Sequence, residues 1–390
     1  MARQLSPDLP AVLTLLGAEP EVHDWGVDKW QEAACNARRQ RLRPWLHVRS
    51  LDRQWQLPAE ISQEWADAYR RAELRVLRQK VELARITRWF AAEGMTAHVL
   101  KGGAIVWRGW IDPAVRPMRD LDLLVSAEQA DAAQQLLLSR GFTSSASNLP
   151  ANHKHLPGLI APETAVVVEV HTLLIDAMTP EWTLRERLFR AAAVAKSEQL
   201  PAAQGGFWVL SDTHTLLQLI VHAVLDHQFN NGPLLLIDIE ALLNHGNIDW
   251  DDFWDTAKVI GAERAAQLAL ALATVIWPRL AIDWQGHEPK DLEARSISSA
   301  AHLMLVTPHN QTELGLLGRL ARFDWSERSA ILLRGLMRRS GSGPLPSQGG
   351  GAKRPANPLA AWSQRLALAG SREGRDHIKR SLDVAKWLRE

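Results

Sequence analysis

Between Ala97 and Thr172 the sequence alternates strand and helix patterns, whereas the chain on either side reads as helix. A unit that small is marginal as an independent core, and its sheet would leave apolar surface uncovered. The helices before Gly94 and after Pro180 are therefore expected to pack on it and to enclose its pocket. His98-Val99-Leu100 reads as a short strand, broken by Lys101-Gly102-Gly103 before a short helix from Ala104 to Trp110. Leu121 to Val125 is a second strand, followed by Ser126 as an N-cap and a helix from Ala127 to Arg140 that Gly141 closes. Phe142 to Ser145, His153 to Ile160 and Ala165 to Thr172 read as further strands. The fold class is α+β, a small mixed sheet with helices, flanked by helical N-terminal and C-terminal regions.

Four segments follow: a helical region over 1–95, the α+β core over 96–180, a helical domain over 181–339, and a Gly/Ser/Pro-rich linker with a basic terminal helix over 340–390. In the first, Ile61 to Phe90 is the clearest helix, with Leu74, Leu77, Val81, Ala84, Ile86 and Trp89 near helical spacing. In the third, helices are expected over Trp182–Ala195, Asp212–Asp226, Pro233–Asn244, Trp250–Ile260 and Glu263–Trp277. The last helix is expected over Arg375–Arg389. From Leu316 onward 15 Lys and Arg stand against 6 Asp and Glu. Such a tail can attract an anionic partner or simply form solvated helix surface. The Ser340 to Pro358 stretch breaks its continuity, so the tail is expected to lie outside the core.

A single cysteine, Cys35, excludes an internal disulfide and any cysteine-cluster zinc site. No run approaches the roughly 18 apolar residues of a membrane span. The N-terminal residues lack the apolar core of a signal peptide. A cytoplasmic protein without a transmembrane segment is expected.

Asp120-Leu121-Asp122 carries the first chemical signal. Residues two apart on a strand face the same way, with Cα atoms about 6.5 to 7 Å apart. Two carboxylates opening an apolar strand repel each other and become favourable around a divalent cation. The run Val166-Val167-Val168-Glu169-Val170-His171 adds an acid and a histidine on one face of another strand. If the two strands are neighbours, Asp120, Asp122 and Glu169 can bind one or two Mg²⁺ ions. His171 is either a participant or a packed, hydrogen-bonded ring. Lys101 and the backbone of Gly102 and Gly103 can approach an anion. Arg116 and Arg119 suit a polyphosphate that touches both metal and cations, although Arg119 can equally neutralise Asp120. His222, Asp226 and His227 share part of a helix face, either as a metal site, as a wall of the acceptor pocket or as core, with Asp238 as the expected partner.

The order Leu100-Lys101-Gly102-Gly103-Ala104, Asp112-Pro113, Arg116-Pro117-Met118, Asp120-Leu121-Asp122-Leu123-Leu124-Val125 and Gly141-Phe142 resembles the uncharacterised bacterial nucleotidyltransferase family, within the polymerase-beta-like superfamily. Glu169 and His171 resemble its acid-apolar-His position, His153 and His155 its preceding histidine strand, and His222 to His227 with Leu236 to Ile239 its downstream helices. The 16 residues between Gly103 and Asp120 exceed the gap usual in the wider superfamily, so the fit is to this family in particular.

The resemblance implies transfer of a nucleoside monophosphate from an NTP to an acceptor hydroxyl, with Mg²⁺ in a two-metal site. Asp120, Asp122 and Glu169 would hold the metals, and Lys101, Gly102, Gly103, Arg116 and Arg119 the donor phosphates. His171 would position or deprotonate the acceptor, which the family context makes a small molecule, peptide or glycan. A nucleic-acid acceptor is not expected, because the core lacks a basic and aromatic stripe. The alternatives are a nucleotide-binding regulatory or scaffold protein on the same fold, or a transferase with a nucleotide-sugar donor.

Overall fold

The computed structural model describes residues 8–17, 20–144, 153–176, 180–201, 206–306, 367–368 and 370–389. The N-terminal region folds into α1 (Ala11–Thr14), α2 (Val27–Arg39), α3 (Arg43–Asp52) and the 34-residue α4 (Ala59–Ala92). No glycine or proline interrupts α4, and Gly94, at φ +68°, turns the chain off its end. Its two halves serve different cores. Ile61 and Trp65 join the helical core, while Val76, Leu83, Ile86 and Phe90 lie against the sheet. Leu74, Leu77 and Val81 have helical spacing as expected, yet they are 59%, 61% and 56% exposed. The neighbouring stripe that begins at Val76 is the one the sheet covers.

Seven strands form one mixed sheet: β1 (His98–Val99), β2 (Asp120–Leu124), β3 (Thr143–Ser144), β4 (Leu159–Ile160), β5 (Val167–His171), β6 (Glu198–Gln199) and β7 (Trp208–Val209). Their order is β3-β4-β5-β2-β1-β7-β6, with β2 parallel to β5 and antiparallel to β1. The sheet thus extends beyond the 96–180 segment by taking β6 and β7. Each is two residues long, too short to show a periodicity. The expected strand His153 to Ile160 shortens to β4, with His155 making an isolated bridge to His171. The expected strand at 142–145 is β3 alone, and residue 145 lies outside the described residues.

The sheet separates two apolar cores. Leu121, Leu123, Val168 and Val170 face α4 and α6 (Ala130–Ser139). Leu124, on the opposite face, joins the helical core built by α7 (Pro180–Ala195), α8 (Asp212–Val221), α9 (Leu234–His245), α10 (Trp250–Val259), α11 (Glu263–Ile276) and α12 (Ala294–Leu303). This second face also carries Asp120, Asp122, Glu169 and His171, by the alternation of side chains along β2 and β5.

Two expectations change. The helix expected over Asp212–Asp226 ends at Val221 and continues as a π-helical turn from His222 to Asp226. The terminal helix, α13 (Arg372–Arg389), is part of the core rather than separate from it. Val384 and Trp387 are buried, Trp387 Nε1 donates to the Arg264 carbonyl at 2.9 Å, and Ser299 Oγ donates to Asp383 at 3.0 Å. A positive net charge marked the exposed face of α13 and concealed its apolar one. The linker from Ser340 to Pro358 lies outside the described residues.

Candidate functional site

The short helix α5 (Lys101–Val106) starts at Lys101, three residues earlier than expected. Leu100 is extended and Lys101 enters the helix at φ +52°, a conformation rare for a residue with a side chain. Gly102 and Gly103 are therefore buried helical residues rather than a loop. A Cβ on Gly102 would lie 2.8 Å from the Arg116 guanidinium carbon, and one on Gly103 would lie 2.6 Å from Val99 Cγ1. Close packing is what the glycine pair permits.

Parallel pairing of β2 and β5 sets Asp122 opposite Glu169 and Leu124 opposite His171. Asp122 is 6% exposed, and its Oδ1 accepts from Lys101 Nζ at 2.6 Å and His171 Nε2 at 2.7 Å. Glu169 Oε2 lies 3.6 Å from His171 Nε2 and 3.4 Å from His155 Nε2. The ligand atoms of Asp122, Glu169 and His171 all fall within 4.8 Å of one another, the geometry of a metal-binding group. Asp120 is on the same face but outside that tight group. Arg119 is exposed at the strand entrance.

The charges here do not balance. Burial, Asp122 and Glu169 push the Asp120 carboxyl up to about 7. Burial also opposes ionisation of Asp122, but Lys101 and the hydrogen bond from His171 outweigh it and hold its pKa low. Glu169 is likewise lowered against its burial, chiefly by His171. For Lys101, burial is outweighed by Asp122 and Asp120, which raise its pKa. One ammonium thus serves three carboxylates. Hard oxygen donors crowded in this way fit a divalent cation of the magnesium or manganese type.

Arg116 and Asp238 are paired at the edge of the site. Arg116 Nε and Nη2 donate to the two oxygens of Asp238 at 2.7 and 2.8 Å, and Nη1 donates to the Pro117 carbonyl at 3.3 Å. Gln79 of α4 donates to the Met118 carbonyl at 3.3 Å and so ties this loop to the helix. Asp238 therefore belongs to Arg116 and not to the His222 face for which it was expected. The partner of that face is Lys154. Its Nζ donates to Asp226 Oδ2 at 2.6 Å and to His222 Nδ1 at 3.2 Å, with Asp176 at 3.8 Å.

Lys154 was not singled out in the sequence. Its signal was its position between His153 and His155, which drew attention to themselves instead. The rings of His153 and His155 are 4.2 Å apart, and those of His155 and His171 are 5.0 Å apart. Burial lowers His155 to about 4 despite Glu169, and lowers His227 to about 4 with help from Lys154. His222 is held well below its ordinary value, by burial and then by Lys154 and Lys101. These rings are neutral near pH 7. His155 Nδ1 donates to the Leu156 carbonyl at 2.8 Å, which leaves the Nε2 lone pair toward Glu169.

The family described as uncharacterised nucleotidyltransferase matches residues 27–278, close to two thirds of the chain and all of this site. The chain belongs to that family. Membership makes this nucleotidyltransferase-family protein a transferase in general terms. No curated protein matches it. Among the described residues, no helix of this family member is long and apolar enough to cross a membrane.

Proposed function

We propose that the protein transfers a nucleoside monophosphate from an NTP to an acceptor hydroxyl, with release of pyrophosphate. The observation that carries this reading is the β2–β5 register, which gathers Asp122, Glu169 and His171 beside Asp120 on one buried face. Asp120, Asp122 and Glu169 would hold Mg²⁺, with a two-ion site as in the polymerase-beta-like superfamily. The metal would supply Lewis-acid stabilisation of charge on the transferring phosphoryl group.

The protein's own groups have separable tasks. His171 donates through Nε2 to Asp122, so it orients that carboxylate rather than taking a proton from the acceptor. His155 presents an Nε2 lone pair beside Glu169 and is placed to receive the acceptor proton at that atom. Lys101, freed from Asp122 when a cation binds the acids, would turn to the donor phosphates, and the exposed Arg119 would join it. Arg116 is committed to Asp238 and would act by holding the wall against Gly102. The acceptor would be a small molecule, peptide or glycan, and an NTP donor places the reaction in the cytoplasm.

Titration calorimetry with each NTP, with and without Mg²⁺, tests the reading, together with mass spectrometry of products. At about 100 times its Kd, a ligand adds about 2.7 kcal/mol of stability. That gain is expected with Mg²⁺ and a much smaller one without it, because the acids repel a bare polyphosphate. A protein that binds no NTP under either condition refutes nucleotidyl transfer; binding without turnover leaves only a nucleotide sensor.

A further inference from the structure

The turn between α2 and α3 brings an arginine to the acid face from far upstream in the sequence. Arg41 adopts φ +62°, in the left-handed region that residues with side chains rarely enter. Its neighbours hold it there. Leu42 is fully buried, and its N–H closes the turn on the Ala37 carbonyl at 2.9 Å. Gln40 is buried and donates to the Val306 carbonyl at 3.0 Å. Gly232 makes room for it, since a Cβ there would lie 2.9 Å from Gln40 Oε1. With both flanking side chains anchored, the backbone aims Arg41 in one direction.

That direction is the acid face: α3 packs on the turn Pro113–Val115 that leads into Asp120, and Gln40 sits against Gly232, just before the helix that carries Asp238. Arg41 is half-buried and feels the charges of Arg119, Arg116, Asp120 and Asp238. Its guanidinium nevertheless makes no hydrogen bond or ion pair with any described residue, and none of its nitrogens is sealed from solvent. Asp238 is saturated by Arg116. Asp120 likewise makes no ion pair or side-chain hydrogen bond with any described residue. Arg41 and Arg119 are thus two like charges brought near each other with no acid bound to Arg41. Burial and then repulsion by Arg119 and Arg116 lower its pKa to about 9, which still leaves it charged at neutral pH. A half-buried cation kept apart from the acids beside it is suited to an anion that arrives from solution.

We propose that Arg41 binds the phosphate chain of the donor nucleotide together with Arg119, so that the N-terminal helical region completes the donor site. This rests on the nucleotidyl-transfer reading. The guanidinium would take a bidentate hold on non-bridging phosphate oxygens, while Asp120, Asp122 and Glu169 act on the same chain through their cation. The contact is to phosphate, so it discriminates neither base nor sugar.

The test is calorimetric titration of the full chain, wild type against Arg41→Gly and Arg41→Gln, with Mg²⁺-ATP and with Mg²⁺-tripolyphosphate. Glycine accepts φ +62° without strain, so Arg41→Gly should melt at or near the wild-type temperature. It should bind both probes at least tenfold more weakly, and by the same factor for each. Equal affinity in a folded Arg41→Gly overturns the assignment and leaves nucleotidyl transfer standing. If Arg41→Gly melts far below wild type, Arg41→Gln decides by the same two readings. A wild type that binds neither probe overturns the reading of the site itself, and this assignment with it.

Discussion

The two ends of α5 carry a buried and a half-buried cation with opposite accounts. Two residues past its C-terminal end, Arg108 donates to Asp212 at 2.7 Å, to the Ala104 carbonyl at 2.6 Å, to the Leu210 carbonyl at 2.7 Å and to Glu198 at 3.3 Å. Every direction of its planar fork meets an acceptor, and this cluster welds α5 to α8 and to the β6–β7 edge. At the other end, the single ammonium of Lys101 faces Asp120, Asp122 and Glu169. The first network is closed and needs no further charge. The second has a surplus of negative charge, which is costly to bury unless something else joins it. A saturated buried network stabilises the fold, and an unbalanced one marks where a ligand is due.

Glu169 offers the strongest way to break this comparison. Glu169→Gln should lower turnover on the order of 10³-fold, the scale of removing a preorganised charged group, while the melting temperature barely moves. Asp122→Asn should lose as much turnover and some stability as well, because Lys101 then faces an amide. Full activity in either folded variant would take the acids out of the chemistry.

Arg108→Met probes the other end. It leaves the half-buried Asp212 without its cation and should cost about 3 kcal/mol, read by denaturant unfolding. NTP affinity per folded molecule should not change. Weaker NTP binding at full folding would join the two networks into one.

The smallest effect tests the imbalance itself. Asp120 is raised in the fold from its ordinary 3.8 to about 7. The folded state therefore holds a proton that the unfolded chain releases, which favours folding below 3.8 and is lost as pH rises toward 7. Without metal, Asp120→Asn should match the wild type only below about pH 3.8, and its melting temperature should rise above the wild type's as pH climbs, with the gap complete by pH 8. Mg²⁺ should close that gap by stabilising the wild type. A difference independent of pH would mean that burial and the neighbouring acids do not raise the Asp120 carboxyl.

The acid motif was legible because a carboxylate in an apolar strand contradicts the pattern around it, as Asp122 does between Leu121 and Leu123, and Glu169 between Val168 and Val170. Local periodicity likewise gave α4, α6, α7 to α11 and α13 to within a few residues, but not α12, whose run of Ser and Ala carries little apolar contrast. Lys154 and Arg41 had no such contrast, since lysine and arginine in polar stretches are ordinary. The register of β2 on β5, the placement of Lys154 on Asp226 and of Arg116 on Asp238 are pairings between residues 47 to 122 positions apart.

Sequence alone determined the class of the fold, its family resemblance and the strands that bear acids, because each is written in short-range spacing and in residue type. Tertiary structure alone decided which apolar stripe of α4 is buried, that α13 belongs to the core, and which cation faces which acid. Those outcomes depend on surfaces brought together from distant parts of the chain. A residue's charge says what it can pair with, but only packing says what it meets.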